Sequence, residues 1–499
     1  MRKWTVYILL AVCLSGYGQT NGNRQVKQGT DSLQSDTVMS YPVDSLAYSY
    51  KERGRIKSKS GDKLGAISDY NKAISVDSNY APAYSNRGKV KADLGDNTGA
   101  IADYNKAIEI NPNFAVAYSN RGNAKSDLGD NAGAITDYNK AIEINPNYAL
   151  AYTNRGKVKA DLGDNAGAIT DYNKAIEINP DLDLAYSNRG NVKADLGDNA
   201  GAITDYNKAI EINPNYALAY SNRGKAKVDL GDNTGAISDY NKAIEIDPDL
   251  DIAYSNRGKV KADLGDNAGA ITDYNKAIEI NPNLDLAYSN RGNAKADLGD
   301  NAGAITDYNK AIEINPNYAL AYSNRGNAKA DLGDNVSAME DYNKAIEINP
   351  NESLAYYNRG CLKLAMRNNK SAIADYNKAI QINSHHVKSY INLGVAQYET
   401  GDYEGEIATY RLAIKNCTSN ADLYNNLGRA LYDLKRFEEA AAAYGEGIKA
   451  FPGDGKLYYG RGLARNQSGD KNGACEDWYR SSELGCVQAN ALLPLCGEK

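Results

Sequence analysis

The sequence predicts an all-α solenoid of stacked antiparallel helix pairs, and three observations lead there. The nineteen residues LGDNAGAITDYNKAIEINP begin at Leu128 and begin again, unchanged, at Leu162, Leu196, Leu264 and Leu298. A variant, LGDNTGAISDYNKAIEIDP from Leu230, fills the remaining place on this 34-residue grid, and a fixed period of that length marks stacked supersecondary units. At 499 residues the chain is also too long for one ordinary core, so it must divide or elongate. Finally, 39 Tyr against 3 Phe and 2 Trp is the aromatic usage of one unit copied many times.

Each element of the unit can be read from residues 149–182. The second helix carries Ala168, Ile169, Tyr172, Ala175 and Ile176, an i, i+3, i+4, i+7, i+8 stripe that one buried face requires. Asp164 is placed to cap its N-terminus, and Asn179-Pro180 stops it. The first helix carries Tyr152, Gly156, Ala160 and Leu162 and ends at Gly163, whose freedom at positive φ suits a helix terminator. Two helices joined by so tight a turn form an antiparallel hairpin.

On these residues the unit resembles the tetratricopeptide repeat (TPR). Tyr152 stands at the family's bulky aromatic, Gly156 at its close helix crossing, and Gly163, Ala168, Tyr172, Ala175 and Pro180 follow in register. The aromatic recurs every 34 residues from Tyr50 to Tyr458, giving thirteen units without an insertion. The resemblance implies a right-handed superhelical solenoid of the exported bacterial type. Ten near-identical units occupy 47–386, three divergent ones 387–488, and residues 489–499 form a short C-terminal capping helix over the exposed last face.

The copies depart from the family at Arg155 and Lys159, a pair repeated in ten units from Arg53 and Lys57 to Arg359 and Lys363. The Arg is expected to pair with the Asp of the second helix, here Asp171. The Lys is expected to lay its stem on the core and send its head to the edge. After Val387, Leu393 and Leu427 replace the Arg, and NKAI, present ten times up to Ile380, disappears. Five cysteines remain beyond the N-terminal segment, an odd number, so at least one thiol is free. An antiparallel return of the last helix would bring Cys496 to Cys475, the expected disulfide.

The N-terminus, MRKWTVYILLAVCLSGYG, reads as a signal peptide over 1–18, with a basic start, a short apolar run and small residues at the cleavage site. A lipid anchor at Cys13 is the alternative, disfavoured by bulky Val12 and by the shortness of the run before it. Residues 19–46 are polar and aperiodic and read as a flexible tether. Cleavage would remove Arg2 and Lys3, leaving 57 − 2 = 55 basic against 63 acidic residues, a net charge of −8. Such a chain has no electrostatic reason to seek nucleic acid or anionic lipid. No later stretch is long and apolar enough for a transmembrane segment.

An enzyme needs unlike groups converging on a point, whereas here the polar residues recur along a rod. No catalytic, cofactor-binding or metal site is expected. The two histidines, His385 and His386, sit side by side without ligand-spaced partners. What remains is surface. In peptide-binding relatives the positions of Leu150, Thr153, Asn154, Lys157, Ala160 and Asp161 line the concave groove. The resemblance therefore points to Asn86, Asn120, Asn154, Asn188, Asn222, Asn256, Asn290, Asn324 and Asn358 as a peptide-groove ladder, which Asn392 and Asn426 extend. An amide both donates and accepts, so such a ladder can hold an extended backbone without reading its sequence. The basic clamp by which some relatives grip a terminal carboxylate is not reproduced. The expected function is a non-enzymatic exported scaffold for protein or extended-peptide partners, periplasmic, envelope-bound or secreted. A structural spacer, or an accessory docking subunit of a cell-envelope complex, is the alternative.

Overall fold

A computed structural model of the chain describes residues 43–417 and 420–496. The expected signal peptide and Cys13 lie outside the described residues, as does the tether up to Pro42. Helices α1 (Val43–Lys59) to α26 (Lys471–Glu483) alternate as first and second members of antiparallel hairpins, giving an all-α solenoid of about thirteen paired-helix repeats. Packing divides the chain into two units that meet between Ile246 and Asp247. The first unit holds α1 to α12 (Asn233–Ile246), and the second runs from α13 (Asp251–Asp263) to α26 and its cap. Within each unit every hairpin packs on its neighbours in sequence.

One correction falls at the start. Helix α1 begins at Val43, four residues inside the segment read as tether. The expectation took Asp44 and Ser45 as linker composition, but both residue types are favoured in a helical first turn, and Ala47 is already fully buried.

The hairpin of α7 (Ala149–Asp161) and α8 (Asn165–Ile178) shows why this sequence folds locally as it does. Asp164 accepts a hydrogen bond from the Gly167 amide at 2.9 Å and so satisfies one of the helix's unpaired N-terminal donors. Gly163 takes φ +84°, and the Asp164 amide reaches back to the Lys159 carbonyl at 2.8 Å. These bonds close the end of α7. Leu162, grouped with the first helix in the sequence reading, sits at this turn and is 56% exposed, because the chain reverses immediately after it. Ala168, Tyr172 and Ala175 are buried, while Ile169 and Ile176 are half-buried at the flanks of the stripe.

Glycine is required where the two helices cross. A Cβ on Gly156 would lie 2.9 Å from Cε1 of the buried Tyr172 and 3.2 Å from the Ala168 carbonyl oxygen. The same Gly–Tyr contact recurs along the array, so the repeated tyrosine fills the space that the repeated glycine leaves.

The end of the chain is covered by α27 (Val487–Asn490) and a 3₁₀ turn at Leu493–Cys496, so the cap starts two residues before the expected 489. Cys475 and Cys496 are joined, with an S–S length of 2.10 Å. Cys361, Cys417 and Cys486 are free thiols.

Gly156→Ala should lower the melting temperature. Overpacking against Tyr172 costs about 1–3 kcal/mol, against a helix-propensity gain of about 1 kcal/mol. Gly453→Ala, where an added Cβ meets nothing within 4 Å, should leave the melting temperature unchanged.

Candidate functional site

The strongest polar contacts in the array centre on a buried aspartate. Asp171, only 2% exposed, accepts from Arg155 Nε at 2.9 Å and from Nη2 at 2.6 Å. This is the expected pairing. Lys159 corrects the expectation. Its ammonium does not run to the edge but lies 2.9 Å from the same carboxylate, and its side chain is 22% exposed. A carboxylate taken out of water needs this much compensation, which the two cations supply from one face of α7. At the first repeat the hydrogen bonds from Arg53, aided by Lys57, lower the pKa of Asp69 to about 2.

The third guanidinium nitrogen leaves the hairpin altogether. Arg155 Nη1 donates to Oδ1 of Asn139, on the preceding second helix α6 (Asn131–Ile144), at 2.6 Å. Arg87, Arg121, Arg189 and Arg223 make the same bond to Asn71, Asn105, Asn173 and Asn207. Arg291, Arg325 and Arg359 repeat it in the second unit. The asparagine of NKAI is therefore the inter-repeat acceptor. Sequence reasoning missed this role, although the joint loss of NKAI and the arginine after Ile380 was a signal of it.

The nine ladder asparagines all lie on first helices and are all half-buried. Three of them bond to an asparagine of the preceding repeat. Asn154, Asn222 and Asn324 donate to Asn123, Asn191 and Asn293 at 3.0, 3.0 and 2.9 Å. Those acceptors in turn receive the hydroxyls of Tyr138, Tyr206 and Tyr308, each at 2.7 Å. Where Lys157 or Lys259 stands instead, Asn188 and Asn290 make no such amide–amide bond among the described residues. Part of the ladder thus bonds across the repeat interface, and part makes no such bond among the described residues.

The divergent repeats replace the charged set with others. Helices α21 (Val387–Glu399) and α22 (Tyr403–Asn416) carry Leu393, Gln397 and Thr409 at the positions of Arg155, Lys159 and Asp171. There Thr409 donates to Gln397 at 2.7 Å. The next repeat has Leu427, Leu431 and Ala443, and the last restores Arg461, Arg465 and Asp477. Two adjoining cavities of about 580 and 380 Å³ open beside these repeats, sharing Lys456, Cys486 and Gln488. Arg429, Tyr432 and Tyr459 line the smaller one. His386 packs edge-on to Tyr357 with ring centroids 4.8 Å apart, and burial together with Lys388 holds its pKa below the usual value. Among the described residues no group of three or more His, Cys, Asp or Glu is placed to hold a metal ion, and no helix is long and apolar enough to cross a membrane.

Family models place this geometry. A "TPR repeat" model matches seven overlapping stretches from 88–129 to 292–333, and two "tetratricopeptide repeat" models match 319–352, 357–421 and 425–485. The chain belongs to the tetratricopeptide repeat family. No curated protein matches it. Among solved structures, this TPR chain is similar to the APC/C hetero-tetramer Cut9-Hcn1, at 16% identity and TM-score 0.42 over 91% of this chain and 96% of that one. It is similar to yeast Tom70 at 16% identity and TM-score 0.37, again over 91% and 96%. A TPR protein from Parabacteroides merdae ATCC 43184 matches at 20% identity and TM-score 0.41, over 50% of this chain and 99% of its own.

One buried group titrates in an accessible range. Glu406 occupies the position of Ala168, is 2% exposed, and is pushed up to about 7 by burial, with Arg429 opposing and Asp433 adding to the shift. A carboxyl whose folded pKa exceeds its ordinary 4.5 contributes its full stability below pH 4.5 and loses it as pH rises through about 7. Glu406→Ala should therefore gain on the parent between pH 4.5 and about pH 8, by on the order of 2 kcal/mol after solvent screening. Urea-unfolding midpoints of both proteins at the two pH values check this. A parent-minus-variant difference that does not change with pH contradicts it.

Proposed function

We propose that this TPR protein is an exported, non-enzymatic scaffold that holds protein partners as extended segments along the face built by its first helices. The observation that carries the reading is the row of half-buried amides at one position of successive first helices, repeated from Asn86 to Asn358. Many weak, equivalent contacts along one face give avidity without a unique site. Export rests on the basic start and short apolar run of residues 1–18.

A second reading is favoured by a separate observation, the two cavities around Lys456 and Cys486. Here the copied repeats act as a spacer, and the divergent repeats dock to a larger envelope complex.

The amides without an amide acceptor in the preceding repeat decide between the two. Cross-linking mass spectrometry in the native envelope should capture a partner with the parent and lose it with Asn188→Ala plus Asn290→Ala. Each amide contributes about 0.5–1.5 kcal/mol, so the pair should weaken binding by roughly 5- to 150-fold. Asn154→Ala should act mainly on stability, since its donor is spent within the array. Partner capture that survives the double variant but fails with Arg429→Gln transfers the function to the divergent repeats.

A further inference from the structure

We infer that the outer face of α1, unfilled among the described residues, is a repeat interface that accepts one amphipathic helix from a partner chain. Ile56 stands where later repeats place Val90, Ala124, Val158 and Leu362. Those residues are 2%, 1%, 2% and 7% exposed, whereas Ile56 is 60% exposed. The Arg53 side chain is 49% exposed, against 18% for Arg87 and 17% for Arg121. Arg53 holds Asp69 through Nε and Nη2, yet its Nη1 has no amide acceptor among the described residues. Ser49 is exposed at the position of the fully buried Ala83 and is small enough to let a helix approach closely.

The chain itself shows what such a face takes, because it fills the same interface at repeat after repeat. Val90 packs on Ala66 and Tyr70 of the preceding second helix, α2 (Lys63–Val76), while Asn71 receives Arg87 Nη1 at 2.6 Å. The fitting partner is therefore a helix with a small residue, an aromatic one turn later and an amide directly after it. The far end of a second copy does not supply that set. In α26 the corresponding residues are Ala474, Trp478 and Tyr479, with no amide, and α27 and the disulfide-closed 3₁₀ turn already pack on it. The occupant belongs to a different chain, and this surface is separate from the first-helix face that carries the proposed scaffold function.

The probe is the protein's own repeat as a fluorescein-labelled peptide, Leu162 to Pro180, titrated into the full-length chain and followed by anisotropy. An isolated helix of this length is only partly ordered, so weak but saturable binding below about 1 mM is expected. Ile56→Asp in the protein should weaken it by about tenfold or more, and the peptide carrying Asn173→Ala by about fivefold. Because Ile56 is exposed, circular dichroism should show Ile56→Asp folded as the parent is. Absence of saturable binding, or binding that Ile56→Asp leaves unchanged, overturns the inference and makes the face a solvated end.

Discussion

A carboxylate is held out of water at the same place in repeat after repeat, and much of the surrounding polar chemistry follows from that constraint. Each such Asp needs its charge balanced inside the hairpin, and Arg and Lys one turn apart on the first helix do so from one side. The guanidinium is planar, and its fork lets only two of its three nitrogens meet one carboxylate. Its spare nitrogen is what reaches the preceding repeat, so an interaction that settles one hairpin also ties it to its neighbour. Where the Asp is absent, both cations are absent too. The repeat of Leu393, Gln397 and Thr409 keeps a neutral hydrogen bond, and that of Leu427, Leu431 and Ala443 is apolar. No described repeat keeps half the set, as expected when removing one partner of a buried pair costs about 3–5 kcal/mol and removing all of it costs little.

Much of this was legible before any coordinates. The period gave the hairpin, Asp164 and Gly163 gave its turn, and the family resemblance put Gly156 at the helix crossing, where the structure adds that Tyr172 fills the space. Other features were hidden because they depend on which atoms have no competitor. A lysine on a helix flank ordinarily keeps its head in water, and Lys159 departs from that only because Asp171 retains an open lone pair. The exposure of Leu162 was hidden for a related reason, since apolar character says nothing about which side of a reversal a residue takes. The first turn of α1 looked like linker because Asp and Ser serve both purposes.

The candidate site was legible by position and not by availability. All nine ladder asparagines fall on first helices, but an amide can bond to the repeat before it only where an asparagine stands 31 positions earlier. Asn123 accepts from Asn154, whereas Lys157 offers Asn188 no such acceptor. The alternation of Asn and Lys, visible in the sequence as a minor irregularity, therefore sets where the array offers a ladder amide an acceptor. Uniform hairpins supply regularity, and this substitution at one position patterns it.

The bond from each arginine to the asparagine before it also says nothing about which copy is which. Arg155 would meet Asn105 or Asn207 as readily as Asn139, since the residues around all three are nearly the same. While the chain is still assembling, correct order is enforced only by the few residues that connect one hairpin to the next. A newly made chain beside another of its kind meets chemically equivalent neighbours on both, and exchange of hairpins between molecules is the characteristic misassembly of such arrays. The divergent repeats and the covalently closed tail carry the features that no other hairpin copies, so they give the assembling chain a unique terminus from which the order of the rest can be counted.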